Sequence, residues 1–198
     1  MRVSREKFAQ NREKIIEVAG ELFRKKGFDG IGVAEIMKAA GLTHGGFYGH
    51  FDSKDELACE ASKNLVMRTE ERWKAVVEKS PDAPLDALLD HYLSRRNVVD
   101  LGDGCVFASL TQEVSRHGPA MQEAFTGGLM ALAGILEDLV PGETPEERRR
   151  RALASLSSMM GAVILARAMD DPALADEFLS ATRQELSLPD SPGSKKDD

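Results

Sequence analysis

From residue 43 to residue 50 the chain reads Thr-His-Gly-Gly-Phe-Tyr-Gly-His, setting four polar side chains among three glycines. Thr43, His44, Tyr48 and His50 offer hydroxyl and imidazole groups that can donate to phosphate oxygens. Gly45, Gly46 and Gly49 remove side-chain bulk, so backbone N–H groups can come close to an anion. In a short helix each of these glycines costs roughly 1 kcal/mol relative to alanine. A local rule broken without packing gain marks a segment under functional demand. Contact with a nucleic-acid phosphate backbone is the chemistry that fits.

Two neighbouring helices must hold this segment. Val33, Ile36, Met37 and Ala40 lie on one face of a short helix that Gly41 stops, and Thr43 is placed to cap the next one. A short helix, a tight turn containing glycine and a second short helix spell a helix-turn-helix. Before it, Phe8, Ile15, Ala19, Leu22 and Phe23 recur at helical spacing from about Arg5 to Lys26. Arg24, Lys25 and Lys26 suit the negative end of that helix, and Gly27 terminates it. After it, Ser53 and Glu56 have capping-box spacing and open a long helix to about Lys79, the connector into a second domain.

Helical signals continue to the C-terminus and no convincing period-2 strand appears. Helices are expected from Pro84 to about Arg96, Cys105 to His117, Pro119 to Leu139, Pro145 to Met169 and Pro172 to Leu186. The chain is therefore all-α with about nine helices. Residues 188–198, rich in proline, serine and charge, are expected to be disordered.

Composition narrows the function classes. The hydrophobic fraction of 42% and charged fraction of 30% are those of a globular protein. No apolar run reaches the ~18 residues of a membrane span. The start lacks the apolar stretch of a signal peptide, and two cysteines make a disulfide framework improbable. A cytoplasmic protein is expected. The net charge of −7 argues against a protein that coats nucleic acid, but residues 1–28 hold eight Lys or Arg against four Glu. A basic start on an acidic body suits a local DNA contact joined to a domain with another task; ordinary surface charge on a solvated first helix is the alternative.

The spaced residues Ile16, Ala19, Leu22-Phe23 and Gly27-Phe28, then Val33-Ala34-Glu35-Ile36 and Ala39 to Thr43, carry a resemblance. It continues through Gly45, Phe47-Tyr48, His50-Phe51 and Ser53 to Leu57. Together they resemble the TetR family of ligand-responsive transcriptional regulators. The resemblance implies a helix-turn-helix DNA-binding domain at 1–52 and a helical ligand-binding and dimerisation domain at 53–187. It implies a homodimeric repressor, not an enzyme, released from a palindromic operator by a small apolar or electrophilic molecule.

Carried over by position, Thr43 would cap the recognition helix and touch phosphate or base. His44 stands where the family commonly has lysine or arginine, so its contact would be shorter and pH-sensitive. Gly45, Gly46 and Gly49 would admit close approach, Tyr48 and His50 would reach phosphate, and Lys54 would hold phosphate at the start of the connector. Many members place threonine where this chain has Gly32, so here the start of the second helix, Gly32 and Val33, would offer only backbone. Phe47 and Phe51 read as core.

The body holds no defensible catalytic constellation, and no cofactor or metal is expected. Glu113 and His117 have the i, i+4 spacing of half a metal site, although a surface ion pair is the preferred reading. Arg148 to Arg151 read as a solvated face. Met67, His91, Tyr92, Phe107, Met121 and Phe125 are candidates to line an effector pocket, each alternatively a core residue. Cys105, at a helix start, is either an electrophile-sensitive thiol or a small buried hydrophobe; Cys59 reads as inert. Ala152, Leu153, Leu156, Gly161, Ala162, Ile164 and Leu165 would supply a two-fold seam formed by the last two long helices. An all-helical small-molecule-binding protein or enzyme carrying a non-regulatory helix-turn-helix is the alternative, and an architectural DNA-binding protein is disfavoured by the acidic body.

Overall fold

A computed structural model describes residues 5–187, so the tail from 188 to 198 lies outside the described residues. Among these, nine α-helices and one 3-10 helix are present, with no strand. The α-helices are α1 (Arg5–Lys26), α2 (Val33–Ala39), α3 (Lys54–Lys79), α4 (Pro84–Tyr92) and α5 (Arg95–Val99). They continue with α6 (Val106–Val114), α7 (Pro119–Glu137), α8 (Pro145–Arg167) and α9 (Pro172–Ser187). The 3-10 helix, His44–Gly49, lies between α2 and α3.

Local chemistry sets most boundaries. Gly27 takes φ 76° and Gly41 takes φ 71°, the left-handed conformation that ends α1 and α2 without a Cβ clash. After α2 the Leu42 N–H reaches the Met37 carbonyl at 2.9 Å and the Gly41 N–H reaches Lys38 at 3.0 Å, a Schellman closure. Ser53 Oγ accepts the Glu56 N–H at 3.0 Å, while the Glu56 carboxylate takes the N–H of Asp52 at 2.6 Å. Thr144 and Glu147 repeat this at α8: Thr144 Oγ1 accepts the Glu147 N–H at 3.1 Å, and Glu147 takes that of Glu143 at 3.0 Å. Both carboxylates hold the residue before the cap rather than the cap itself. The Glu147 carboxyl is consequently held below its ordinary pKa, first by the Glu143 N–H and then by Arg151.

One expected helix divides. The helix from Pro84 breaks at Leu93 and Ser94 instead of running to Arg96. Ser94 Oγ donates to the His91 carbonyl at 2.9 Å and the Asn97 side chain to that of Tyr92 at 2.9 Å, taking carbonyls left over at the end of α4.

The described residues form two packing units, 5–70 with 99–129, and 71–98 with 130–187. In the first, Ile15, Ala19 and Phe23 of α1 and Ile36 and Met37 of α2 are fully buried with Phe47 and Leu57. Gly20 lets α1 lie close to α3, since a Cβ there would stand 3.2 Å from the Leu65 side chain. In the second, Trp73 packs edge-on to Tyr92 with 5.5 Å between centroids. Arg183 of α9 pairs with Asp90 at 2.7 Å and Asp86 at 3.1 Å on α4.

Candidate nucleic-acid interface

The segment His44–Gly49 forms a 3-10 helix rather than an α-helix. Three glycines among six residues give it little propensity for a longer turn. Its start also differs from expectation. Thr43 caps with its backbone carbonyl, which accepts the Gly46 N–H at 3.0 Å, and its hydroxyl makes no capping bond. The hydroxyl therefore stays exposed and uncommitted to the helix.

Phe47 is fully buried and Phe51 2% exposed, and the two rings lie 5.7 Å apart in the module core. They anchor the segment, and its outward face is left to other residues. Tyr48 stands 68% exposed beside Phe47. Thr43, His44, Gly45 and Gly49 are exposed as well; Gly46, His50 and Lys54 are half-buried. None of these three glycines has a positive φ. A Cβ at Gly45 or Gly49 would meet nothing within 4 Å, and at Gly46 only ordinary contacts at 3.7 Å. Neither backbone conformation nor internal packing requires glycine at these places.

His50 is more constrained than its sequence position suggests. Its ring stacks on Phe8 at 4.1 Å between centroids, and Nδ1 is buried without a hydrogen-bond partner. Burial, then the Arg12 charge, lowers its pKa. Arg12 itself lies 4.7 Å over the Phe51 ring and pairs with Glu60 at 2.6 Å and Glu56 at 3.9 Å. That guanidinium pins α1 to α3; its pKa is raised chiefly by the Glu60 hydrogen bond.

At the start of α2, Gly32 is exposed and Val33 half-buried. The Gly32 N–H is already engaged, donating to the Glu35 carboxylate at 3.4 Å. Lys26 approaches that carboxylate at 3.3 Å. The Gly32 hydrogen bond, then Lys26, depresses the Glu35 pKa, so a negative charge guards this N-terminus.

Glu113 and His117 do not pair with each other, as their spacing suggested. The Glu113 carboxylate accepts the Phe28 backbone N–H at 2.7 Å. His117 Nδ1 lies 3.5 Å from Asp55, and its ring meets Phe28 edge-on at 4.7 Å. Arg24 adds a hydrogen bond to the Gly102 carbonyl. The end of α1 and the start of α3 are thus tied to α6 and the segments on either side of it, by long-range pairs that helical spacing does not encode.

The effector candidates fall in different places. Phe107 and Phe125 are 1% and 3% exposed and pack edge-on at 5.4 Å, and Met121 is 1% exposed. Cys105 is 7% exposed at the N-cap of α6. His91 and Tyr92 belong to the second unit. Met67, half-exposed, lines a groove of about 500 Å³ between α3 and α7. Arg148 to Arg151 all engage their own chain, through Gly142, Glu137 and Glu147.

A buried-anchor helix-turn-helix with an exposed, glycine-bared second segment defines a helix-turn-helix protein. The profile of the bacterial regulatory proteins of the tetR family matches residues 15–61. The transcriptional repressor DhaR of Mycobacterium sp. (strain GP1) is 24% identical over 104 residues, 52% of each chain. The transcriptional regulator LmrA of Bacillus subtilis is 25% identical over 162 residues, 80% of this chain and 86% of its own. The structure of Escherichia coli NemR in its reduced form superposes with a TM-score of 0.76 at 20% identity, covering 90% of this chain and 95% of that one. The chain spans about half the length of the first curated relatives it matches. Residues 15–61 therefore carry the DNA-binding module of the tetR family of bacterial regulatory proteins.

Proposed function

We propose that the protein is a homodimeric transcriptional repressor that binds a palindromic DNA operator and is released by a small apolar or electrophilic molecule. In this reading residues 1–52 contact DNA, and residues 53–187 bind the effector and dimerise. One observation carries it: Gly45 and Gly49 occupy ordinary backbone conformations with open space where a Cβ would stand, beside the 68%-exposed Tyr48. Such glycines serve an outside surface coming close. Thr43, His44, Gly46, Tyr48, His50 and Lys54 are the phosphate contacts, and sequence choice rests partly on DNA shape because few long side chains reach base edges.

A single short recognition segment binds weakly, whereas a two-fold pair reads two half-sites with avidity. Leu165 and Phe178 remain 49% and 37% exposed on α8 and α9, apolar surface suited to the second copy. Effector binding would favour a dimer with misplaced recognition segments; a coupling of about 1–3 kcal/mol weakens operator binding about 5–150-fold. Cys105 is the candidate electrophile target, tested by comparing operator release by N-ethylmaleimide in the native protein and Cys105→Ser.

Titration of the protein against its own upstream DNA, with and without excess non-specific DNA, tests the proposal. The expected result is one competitor-resistant complex on a palindrome. Lys54→Ala should weaken every site alike and reduce the salt slope by about one unit. Binding that vanishes with competitor on every fragment overturns it.

A further inference from the structure

Phe8 is an aromatic ring placed where the core of the small module has run out. It continues the face of α1 that buries Ile15, Ala19 and Phe23, yet 42% of it is open. Its covered part carries the His50 ring, stacked with 4.1 Å between centroids and 24° between planes. His50 closes the 3-10 segment, its backbone N–H held by the Phe47 carbonyl at 2.8 Å. Phe8 thus ties the first helix to the last residue of the glycine-bared segment.

The stack leaves the two imidazole nitrogens in unlike surroundings. Nδ1 is buried without a hydrogen-bond partner, whereas Nε2 is not enclosed and makes no hydrogen bond among the described residues. A neutral imidazole has one N–H and one lone pair. A proton on Nδ1 would be a buried donor with no acceptor, an arrangement that folded proteins avoid. A second proton on the ring is disfavoured too, by burial and then by the Arg12 charge. Arg12 stands one turn after Phe8 on α1, and its own partners are Glu60 and Glu56 of α3. The single proton therefore sits on Nε2, the open nitrogen. Phosphate oxygens only accept, so this tautomer is the one that can bind them.

We propose that Phe8 is a positioning residue for DNA binding: stacked on His50, it covers the ring, encloses Nδ1 and holds the neutral Nε2–H tautomer ready for a backbone phosphate. This rests on the reading of His50 as a phosphate contact. Phe8 itself touches no DNA, and the contact it prepares needs no imidazolium. An apolar ring left half open at the edge of the module has a task there that core packing does not supply.

Long-range nitrogen–proton correlation spectra of the DNA-free protein read the tautomer at about pH 7.5, where an ordinary histidine is neutral. His50 should show the Nε2–H form alone; an Nδ1–H form or an imidazolium would overturn the proposal. Phe8→Ala should admit water to Nδ1 and give averaged signals of both tautomers, whereas Phe8→Tyr, which keeps the ring, should retain one. An unchanged single tautomer in Phe8→Ala would equally overturn it. On a labelled fragment of the chain's own upstream DNA, Phe8→Ala should bind about five-fold or more weakly, and Phe8→Tyr within about two-fold of native. In a His50→Gln background, Phe8→Ala should change affinity by less than about two-fold, because its effect passes through the imidazole. Circular dichroism checks that each variant is folded. An equal loss with and without the imidazole, or native affinity in Phe8→Ala, would overturn the proposal. Native affinity in His50→Gln removes the phosphate contact on which it stands. If the native chain forms no competitor-resistant complex, the repressor reading falls and the DNA role of Phe8 with it. A failed tautomer or cycle with operator binding intact sinks the role of Phe8 alone.

Discussion

The Glu113 carboxylate accepts the Phe28 backbone N–H at 2.7 Å across 85 positions of sequence. Phe28 follows Gly27, whose own N–H closes α1 by reaching the Phe23 carbonyl at 2.8 Å. The next N–H would be an orphan at a buried corner, Phe28 being fully buried, and α6 supplies its acceptor. The helix-turn-helix module is therefore completed by a side chain from outside it.

Removing that acceptor has a definite consequence. Glu113→Ala should lower unfolding free energy by about 1–2 kcal/mol, since it strands a buried donor. Glu113→Gln retains an amide oxygen and should lose less. Urea midpoints with unchanged slope measure this; an alanine variant as stable as the native chain would show that the contact contributes nothing.

Glu35 should restrain DNA binding. Its carboxylate occupies the Gly32 N–H at 3.4 Å, on the N-terminus that a phosphate would otherwise approach. Glu35→Gln should raise affinity for operator and non-specific DNA together, by about two- to five-fold at low salt. Fluorescence anisotropy on both DNAs at two salt concentrations gives the answer. A gain confined to one base sequence would contradict a purely electrostatic role.

His50 makes stability sensitive to acid. Burial and then Arg12 hold its pKa below the ordinary value, which is about 6.5. The unfolded chain therefore takes up the proton first as pH falls, and stability rises with pH wherever the unfolded state binds more protons. Its contribution is complete above about pH 6.5 and is lost as pH falls through the lower folded value. His50→Gln, which cannot titrate, should show a shallower loss as pH falls below about 6.5 in denaturant melts. Identical profiles would place the acid sensitivity elsewhere.

The limits of α1, α2 and α3 were legible in the sequence because they are written locally, by Gly27, Gly41 and the Ser53–Glu56 pair. Phe47 and Phe51, read as core residues of the small module, are buried there. What could not be read depends on partners far along the chain. The i, i+4 relation of Glu113 and His117 suggested a mutual pair, but α6 ends at Val114, so His117 lies beyond the helix and the two side chains meet Phe28 and Asp55 instead. His50 looked like a free polar contact until α1 placed Phe8 against its ring. The break at Ser94 arises from side chains that compete for carbonyls, a contest that hydrophobic periodicity does not register.

The second copy should seat on α8 and α9. Ala152, Leu156 and Ala162, which their small or apolar character nominated for the seam, are buried within their own chain, at 0%, 4% and 4% exposure. Leu153, Leu165, Leu174 and Phe178 keep 36% to 49% of their surface open. Leu165→Asp with Phe178→Asp should therefore yield a folded monomer by sedimentation, because charge is added only to exposed positions. Operator affinity should fall by two orders of magnitude or so, the avidity of paired sites being about 10²–10⁴. A doubly charged variant that stays dimeric would remove these helices from the interface.

Gly45 and Gly49 set stability against DNA binding most directly. Alanine at either position enters space with nothing within 4 Å and keeps an allowed φ. It also reduces the freedom of the unfolded chain, so each replacement should stabilise the free protein by about 0.4–1 kcal/mol. The same methyl would stand on the face where a phosphate or groove wall must come close. Gly45→Ala and Gly49→Ala should thus melt higher and bind operator more weakly, a pairing that arises where stability has been given up for function. Lower melting with unchanged DNA affinity would mean that the glycines serve the fold, and the surface beside Tyr48 would no longer be the one that meets DNA.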